Sequence, residues 1–402
     1  MIFLKILFLA STLLILHSYL FYPLSLILFE KFFNRPGHPS TLSESELPFI
    51  STITSVYNED KIIYDKIKSL TESDYPTEKL TIYIGSDAST DQSDQILDEF
   101  QRRYSFMRFV RFEKRRGKSS VINDLMQLAT QQRPTGADHV FVFTDANVIL
   151  KKETLRRLAE KFVSPDIGLV DSRIIPKSSG QEGIADAEIR YISLETQIKH
   201  LEGKLWGMMM GAFGGCFAIR SNFATPIPER MITDDFYLSM NVLKNGGKCT
   251  SALDAVCLEG IPGELKEEFK RKVRISSGNF QSLKEFSSFL YSSPWTRAYA
   301  FISHKVIRWT GPFFLLMIWC ISLILALTLS FPESLFFAFV FSALLILPIL
   351  DWLLSVFDIH IALLRAARYF LSMNIALLFG FVKYLRGIKH SIWEPPKRNN
   401  LT

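Results

Sequence analysis

Between Ile6 and Phe29 the chain carries no formally charged side chain, and 24 residues at about 1.5 Å each are enough to cross a hydrocarbon core of roughly 30 Å. Lys5 supplies a short positive flank of the kind that precedes a cleaved leader. The apolar run, however, is longer than the usual leader core and ends in Glu30, Lys31 and Arg35 without a small-residue cleavage site. Residues 1–31 therefore read as an N-terminal transmembrane helix. A second charge-free run extends from Trp309 to Phe331, Pro332-Glu333 interrupts it, and a third runs from Ser334 to Leu350. Two such helices in close succession form a membrane hairpin. Beyond Asp351, Arg365 and Arg368 break the apolar pattern, and Tyr369 to Val382 alone is short for a span unless the arginines reach the interface.

Charge then orients these segments. Lys383, Arg386, Lys389, Lys397 and Arg398 follow the last apolar stretch with Glu394 as the only nearby acid, which places the tail in the cytoplasm by the positive-inside rule. The basic junctions after the first span and before Trp309 place the intervening domain on the same side. A cytoplasmic tail then requires an even number of crossings after residue 308. The organisation expected is a transmembrane helix at 1–31, a cytoplasmic domain at 46–264, interfacial helices at 265–307, C-terminal transmembrane helices at 308–388 and a basic cytoplasmic tail at 389–402.

With 402 residues, 48% of them hydrophobic, and 34 Phe, disorder and collagen-like fibres are excluded. The net charge of +6 gathers beside the apolar helices, so it speaks for a lipid bilayer and a phosphate-bearing substrate and not for nucleic acid. Cys216, Cys249, Cys257 and Cys320 lie 33, 8 and 63 residues apart, which matches neither a disulfide scaffold nor paired zinc ligands. They read as free thiols of a reducing compartment.

The central part alternates two periodicities. Phe49 to Val56, Leu80 to Ser86, Met107 to Phe112 and His139 to Thr144 are short runs rich in Ile, Val, Phe, Tyr and Thr. Glu59 to Thr71, Asp91 to Tyr104 and Lys118 to Ala129 have helical spacing of apolar residues, with Asp91 or Ser93, and Ser119, as N-terminal caps or first-turn residues. This β-α alternation predicts an α/β domain with a mostly parallel sheet, and such sheets bind ligands outside the carboxyl ends of their strands.

Three of those ends carry carboxylates: Tyr57-Asn58-Glu59-Asp60, Ser86-Asp87-Ala88-Ser89-Thr90-Asp91 and Thr144-Asp145-Ala146-Asn147. Each taken singly is an ordinary turn or helix cap. Together on one rim they point to a site. Asp145 and Asn147, one residue apart, offer hard oxygen ligands that suit Mg²⁺ or Mn²⁺ shared with a diphosphate. Asp87 is placed to hold a base or a ribose. Downstream, Gly214-Gly215-Cys216 reads as a tight backbone segment entering a strand, and Thr233-Asp234-Asp235 starts a helix. Asp234 and Asp235 are either first-turn acids or, for one of them, a general base for an attacking hydroxyl. Arg271 and Arg274 share a helix face, where they either anchor an interfacial helix to headgroups or hold a leaving diphosphate. Leu283 to His304, rich in aromatic residues, reads as an interfacial helix pair or a buried hairpin. Gly117-Lys118-Ser119 is not a P-loop, because the required upstream glycine is Phe112, and a dinucleotide-binding turn is absent after the first strand.

In this order, Tyr57-Asn58-Glu59, Ser86-Asp87-Ala88-Ser89-Thr90-Asp91, Gly117-Lys118-Ser119, Thr144-Asp145-Ala146-Asn147, Thr233-Asp234-Asp235 and Arg271-Lys272-Val273-Arg274 resemble membrane-bound family 2 glycosyltransferases, the group of cellulose, hyaluronan, chitin and poly-N-acetylglucosamine synthases. The resemblance covers about residues 48–310. It implies a GT-A nucleotide-diphosphosugar transferase domain inserted between transmembrane helices, and a multi-pass protein of the bacterial plasma membrane with its catalytic domain cytoplasmic. The activity implied is inverting transfer from a nucleotide-diphosphate sugar, UDP-linked, to a glycan or lipid acceptor. By similarity Tyr57, Glu59, Asp87, Lys118 and Asp145 line the nucleotide-sugar pocket, with Asp87 and Lys118 near the base. Asp145 and Asn147 take the metal-binding position, Asp235 that of the catalytic base, Gly214, Gly215 and Cys216 the acceptor loop, and Arg271 and Arg274 the diphosphate-holding motif. Two departures stand out. Asn147 replaces an Asp, and in the arginine motif Arg271 replaces a Gln and Ile275 the Trp that gives the family an aromatic platform for an acceptor sugar. The acceptor thus stays open between a growing polysaccharide and a single lipid, and a third reading of the same departures is an inactive sugar-nucleotide sensor or assembly subunit.

Overall fold

The computed structural model describes residues 2–33, 42–134, 136–177, 184–260, 265–329, 332–357, 359 and 361–388. The chain divides into two compact units: Met1–Lys31 with Gly180–Ile192 and Gly263–Gly387, and Phe32–Ser179 with Ser193–Pro262 and Ile388–Thr402.

The first unit opens with α1 (Ile2–Leu16), a π-helical turn (His17–Phe21) and α2 (Tyr22–Phe33). It closes with the last five helices of the chain, described after the second unit, whose elements lie between them in sequence.

The second unit contains β1 (Phe49–Val56), α3 (Ile63–Thr71), β2 (Leu80–Ser86), α4 (Ser93–Arg103), β3 (Met107–Arg111), α5 (Lys118–Gln132), β4 (His139–Thr144), β5 (Val148–Leu150), α6 (Thr154–Ala159) and β6 (Ile167–Lys177). There follow α7 (Ile184–Trp206), which enters from the first unit, then β7 (Cys216–Arg220), α8 (Asp234–Lys244) and β8 (Lys248–Gly260). The four strands expected from the sequence are all present. α3 starts four residues later than its apolar spacing predicts because the amides of Asn58, Glu59 and Asp60 are drawn to side chains of the next loop. At α4 the Asp91 carboxylate accepts the Ser93 N–H at 3.0 Å, and Ser119 sits in the first turn of α5.

The eight strands form one sheet in the order β3-β2-β1-β4-β7-β6-β8-β5. β3, β2, β1 and β4 are mutually parallel, but β7 runs antiparallel to both β4 and β6, and β5 antiparallel to β8. Six of the eight strands run one way, as the expectation of a mostly parallel sheet has it, and β7 and β5 run against them, which makes the sheet mixed. The reversal has a physical use: an antiparallel strand presents its start where its parallel neighbours present their ends. Cys216, the first residue of β7, pairs with Thr144, the last of β4, so the loop before β7 reaches the rim carrying Asp145. Ile63, Ile67 and Leu70 of α3 pack with Ile82, Ile84, Val140 and Val142 of the sheet, each fully or nearly fully buried, which stabilises the layer by about 1.5–3 kcal/mol per side chain.

The closing helices of the first unit are α9 (Leu265–Glu285), α10 (Trp295–Ala300), α11 (Ile307–Leu329), α12 (Pro332–Ser355) and α13 (Ala362–Leu385). Among the described residues four helical segments are long and apolar enough to cross a membrane: Ile2–Phe32, Trp295–Thr328, Leu335–Ser355 and Ala362–Leu385. The second begins 14 residues before the expected Trp309, since α10 continues through a π-helical stretch (Phe301–Val306) into α11. The expected helix pair at Leu283 to His304 is accordingly the end of α9, a 3₁₀ turn (Ser287–Tyr291) and the start of this long segment. Its buried charge is accommodated locally: Arg308 donates to the Ser18 carbonyl at 3.3 Å, and His17 and Ser303 join at 2.8 Å. α13 includes both arginines that interrupted its pattern, because Arg368 pairs with the buried Asp351 of α12 at 3.2 Å. Three candidate spans thus follow the expected domain, an odd number where the cytoplasmic tail needs an even one; the tail itself lies outside the described residues. α13 packs closely along α9: Ser276 donates to the Leu377 carbonyl at 2.9 Å and Phe280 meets Phe381 at 4.8 Å.

Candidate active site

Parallel pairing brings Val56 level with Ser86, so the loops after β1 and β2 leave the sheet side by side. They are laced together. Asn58 adopts a left-handed backbone (φ 52°), a conformation that Asn tolerates well. Its side-chain oxygen accepts the Thr90 N–H at 2.8 Å, while Ser89, Ser93 and Asp91 accept the amides of Asn58, Glu59 and Asp60. Tyr57 lies at the same edge with the Arg115 guanidinium 3.5 Å above its ring, a stacking partner the sequence did not single out.

Asp87 is 3% exposed, and its two oxygens accept the N–H groups of Arg116 and Gly117 at 2.7 and 2.8 Å. Gly117 has φ 89° at the entry to α5, a backbone that favours glycine. Asp87 thereby fixes the start of α5 and with it Lys118. The Lys118 ammonium lies 2.8 Å from Asp145 and 2.9 Å from Asp234. Burial opposes its charge, but these two carboxylates outweigh that and raise it above the ordinary lysine value, so it is charged. Lys118 thus joins the third, fourth and fifth motifs physically.

Asp145 and Asn147 leave β4 together. The Asn147 amide donates to Glu259 of β8 at 3.3 Å, and Asp145 is the partner of Lys118. Two side chains that sequence reasoning missed shape this turn. Glu259 stands across the β5–β8 pairing from Val148. Lys66, fully buried, donates to the Thr144 hydroxyl at 2.7 Å and the Val148 carbonyl at 2.6 Å, clamping both ends of the segment that carries Asp145 and Asn147. Burial pulls the Lys66 ammonium down to about 8. Its signal was present: Ile63, Lys66, Ile67 and Leu70 share the buried stripe of α3, where a lysine needs a reason.

On the other flank, Asp235 in the first turn of α8 accepts the Gly214 N–H at 3.0 Å. Burial, reinforced by the neighbouring Asp234 and opposed by Lys118, pushes its carboxyl up to about 6. A Cβ at Gly214 would stand 2.8 Å from the Asp235 carboxylate, so a side chain there would displace Asp235. Gly215 contributes its carbonyl to the Asp145 amide at 3.0 Å. Cys216 opens β7 with its thiol buried. Arg271 and Arg274 belong to α9 of the first unit. The Arg271 guanidinium forms two bonds with the buried Glu268, at 2.8 and 3.0 Å, a counter-charge the motif alone did not disclose.

Among the described residues no three His, Cys, Asp or Glu side chains gather as an all-protein metal site. Asp145 is one-third exposed, and Asn147, buried with its amide nitrogen on Glu259, keeps its carbonyl oxygen as a donor, a pair that fits a hard divalent cation taking one or two protein ligands and completing its shell with phosphate.

Residues 51–223 match the family model described as Glycosyl transferase family 2, and residues 140–381 that of Glycosyl transferase family group 2. The chain is 26% identical over 214 residues to a beta-monoglucosyldiacylglycerol synthase of Nostoc sp., covering 52% of this chain and 44% of that one, so it spans under half the length of this relative. It is 23% identical over 380 residues to a poly-beta-1,6-N-acetyl-D-glucosamine synthase of Staphylococcus epidermidis, covering 88% of both. Among solved structures, the mannosyltransferase PcManGT from Pyrobaculum calidifontis, in complex with GDP-Man and Mn²⁺, superposes with a TM-score of 0.69 at 18% identity over 94% of this chain and 99% of that one. That likeness establishes a GT-A-like mixed α/β fold. With one family model spanning more than half of its residues, the chain belongs to the family 2 glycosyltransferases and is an enzyme of that class.

Proposed function

We propose that the protein transfers a sugar, with inversion, from a UDP-linked donor to a growing polysaccharide at the cytoplasmic face of a membrane. The observation that carries the reading is the meeting of Asp145, Lys118, Asp234 and Asp235 on one rim, with Asp235 held by the Gly214 amide. The acceptor hydroxyl gives its proton to Asp235 as its oxygen attacks the anomeric carbon, and the bond from that carbon to the diphosphate oxygen breaks. The Gly214 N–H occupies one carboxylate oxygen and steadies the other toward the acceptor. Lys118 supplies positive charge beside Asp145 for the departing diphosphate. A divalent cation held by Asp145 and Asn147 would neutralise charge on the leaving diphosphate. Tyr57, Glu59 and Asp87 form the nucleotide side of the pocket.

The polymer is favoured as product because the polymer-synthase relative aligns over 88% of both chains. A second reading, transfer of one sugar to a lipid, draws support from Ile275 in place of the aromatic platform and from the glucosyldiacylglycerol relative. The even count of crossings is met when α13, packed along the charged helix α9, lies at the interface. Detergent-purified protein incubated with a panel of radiolabelled UDP-sugars and Mg²⁺ or Mn²⁺ tests the reading. Label in high-molecular-weight material sensitive to one glycosidase is the expected result. Label confined to organic-extractable lipid would replace the polymer by the lipid acceptor, and no transfer from any UDP-sugar would overturn the donor assignment.

A further inference from the structure

The loop before β7 is held amide by amide from outside itself. The Met210 N–H goes to Glu202 of α7 at 3.0 Å, that of Ala212 to the Ser239 hydroxyl of α8 at 2.9 Å, that of Phe213 to both oxygens of Asp171 in β6 at 3.0 and 3.2 Å, and that of Gly214 to Asp235. Two adjacent amides therefore tie two carboxylates from different elements to one peptide. Asp171 is 2% exposed and was not marked by any motif. An acid so buried is costly unless it has an assigned partner. Its environment is built for the purpose: the Lys199 ammonium stands 4.0 Å from it and 3.7 Å from the centre of the Phe213 ring, so the same cation steadies both the acid and the residue that the acid holds. The Ser239 hydroxyl that accepts the Ala212 amide donates in turn to the Asp235 carbonyl at 2.7 Å, one turn earlier in α8.

We propose that Asp171 is a positioning residue for sugar transfer: by fixing the Phe213 amide it aims the next amide, Gly214 N–H, at Asp235 and so sets the orientation of the base toward the acceptor hydroxyl. The inference rests on the reading of Asp235 as that base. It assigns Asp171 no contact with donor or acceptor. The consequence is a division of kinetic effects, since misplacing a catalytic group by about 1 Å costs on the order of 10²-fold in rate without touching donor affinity.

The test compares Asp171→Asn with Asp171→Leu in the full-length protein. The two side chains are close in shape, but only asparagine can accept the Phe213 N–H. Asp171→Leu is expected to lower kcat about 10- to 10²-fold with donor KM unchanged, and Asp171→Asn to restore most of the loss. Hydrogen–deuterium exchange of a peptide spanning residues 209–215 is expected to quicken in the leucine variant and not in the asparagine one. This readout applies even where activity is too low to measure. Equal kcat in the leucine variant and the wild type would overturn the proposal, as would equal damage in both variants or a loss carried by donor KM. Asp235→Asn in the same assay separates the two readings: retained turnover there would remove the base assignment, whereas the exchange experiment judges the anchoring of Phe213 independently.

Discussion

On the donor side of the rim, the loops after β1 and β2 hold one another through short polar side chains, Asn58 to Thr90 and Ser89, Ser93 and Asp91 to the amides opposite, and Asp87 holds the entry to α5. On the acceptor side, the loop of residues 210–215 is held by α7, α8 and β6, and its two acids, the half-buried Asp235 and the buried Asp171, are pushed up to about 6 and about 7, desolvation being the main cause in both. Short polar groups bonded between neighbouring loops suit a surface that must be preformed to admit a charged nucleotide. Carboxylates with raised proton affinity suit a surface that must take up a proton. Donor-side changes should then act on affinity and acceptor-side changes on turnover.

Asp235→Asn carries the largest expected effect, a fall in kcat of about 10²- to 10⁴-fold with donor binding intact, read by steady-state kinetics beside equilibrium binding of the UDP-sugar. Gly214→Ala should follow with a loss of about 10- to 10²-fold, because the added Cβ, 2.8 Å from the Asp235 carboxylate, displaces the base while the fold survives. An unchanged rate with an unchanged melting temperature would show that Asp235 does not need its present position. The pH profile comes next. Asp235 accepts a proton only when ionised, and its carboxyl sits at about 6, so kcat should hold above that pH and fall about tenfold per unit below it. A flat profile down to pH 5 would contradict the assignment. Asn58→Ala should have the smallest effect. It removes a bond to Thr90 at 2.8 Å from a residue in the left-handed region, so about 1 kcal/mol of stability should be lost and donor KM should rise a few-fold with kcat kept. Should kcat fall instead, the proposed division between the two sides would be wrong.

The donor side was the more legible in the sequence because each of its parts is local. A β-rich run followed by Asn or Asp marks a strand end wherever it occurs, and β1, β2 and β4 have the bounds that pattern predicts. Lys118 was legible as a site residue but not as a bridge, since the 27 residues to Asp145 and 116 to Asp234 close only in three dimensions. Lys66 announced itself only as a charge on an apolar stripe. Asp171 left no trace, for an acid inside a β-strand run has no local partner to betray it. Arg271 is the converse case, where the motif spoke for phosphate and Glu268, three residues earlier, occupies the guanidinium.

By itself the sequence determined the apolar helices, the alternation of strand and helix, and which residue types stand at the strand ends, since periodicity and local propensity act over a few residues. Tertiary structure decided the mixed sheet, whose reversed β7 brings its start to the end of β4. It also decided which acids are buried, which cation joins Asp145 to Asp234, and which distant side chains hold the loop before β7. These depend on hydrogen bonds and desolvation between segments far apart in the chain, and such terms exist only once the sheet has brought the segments together.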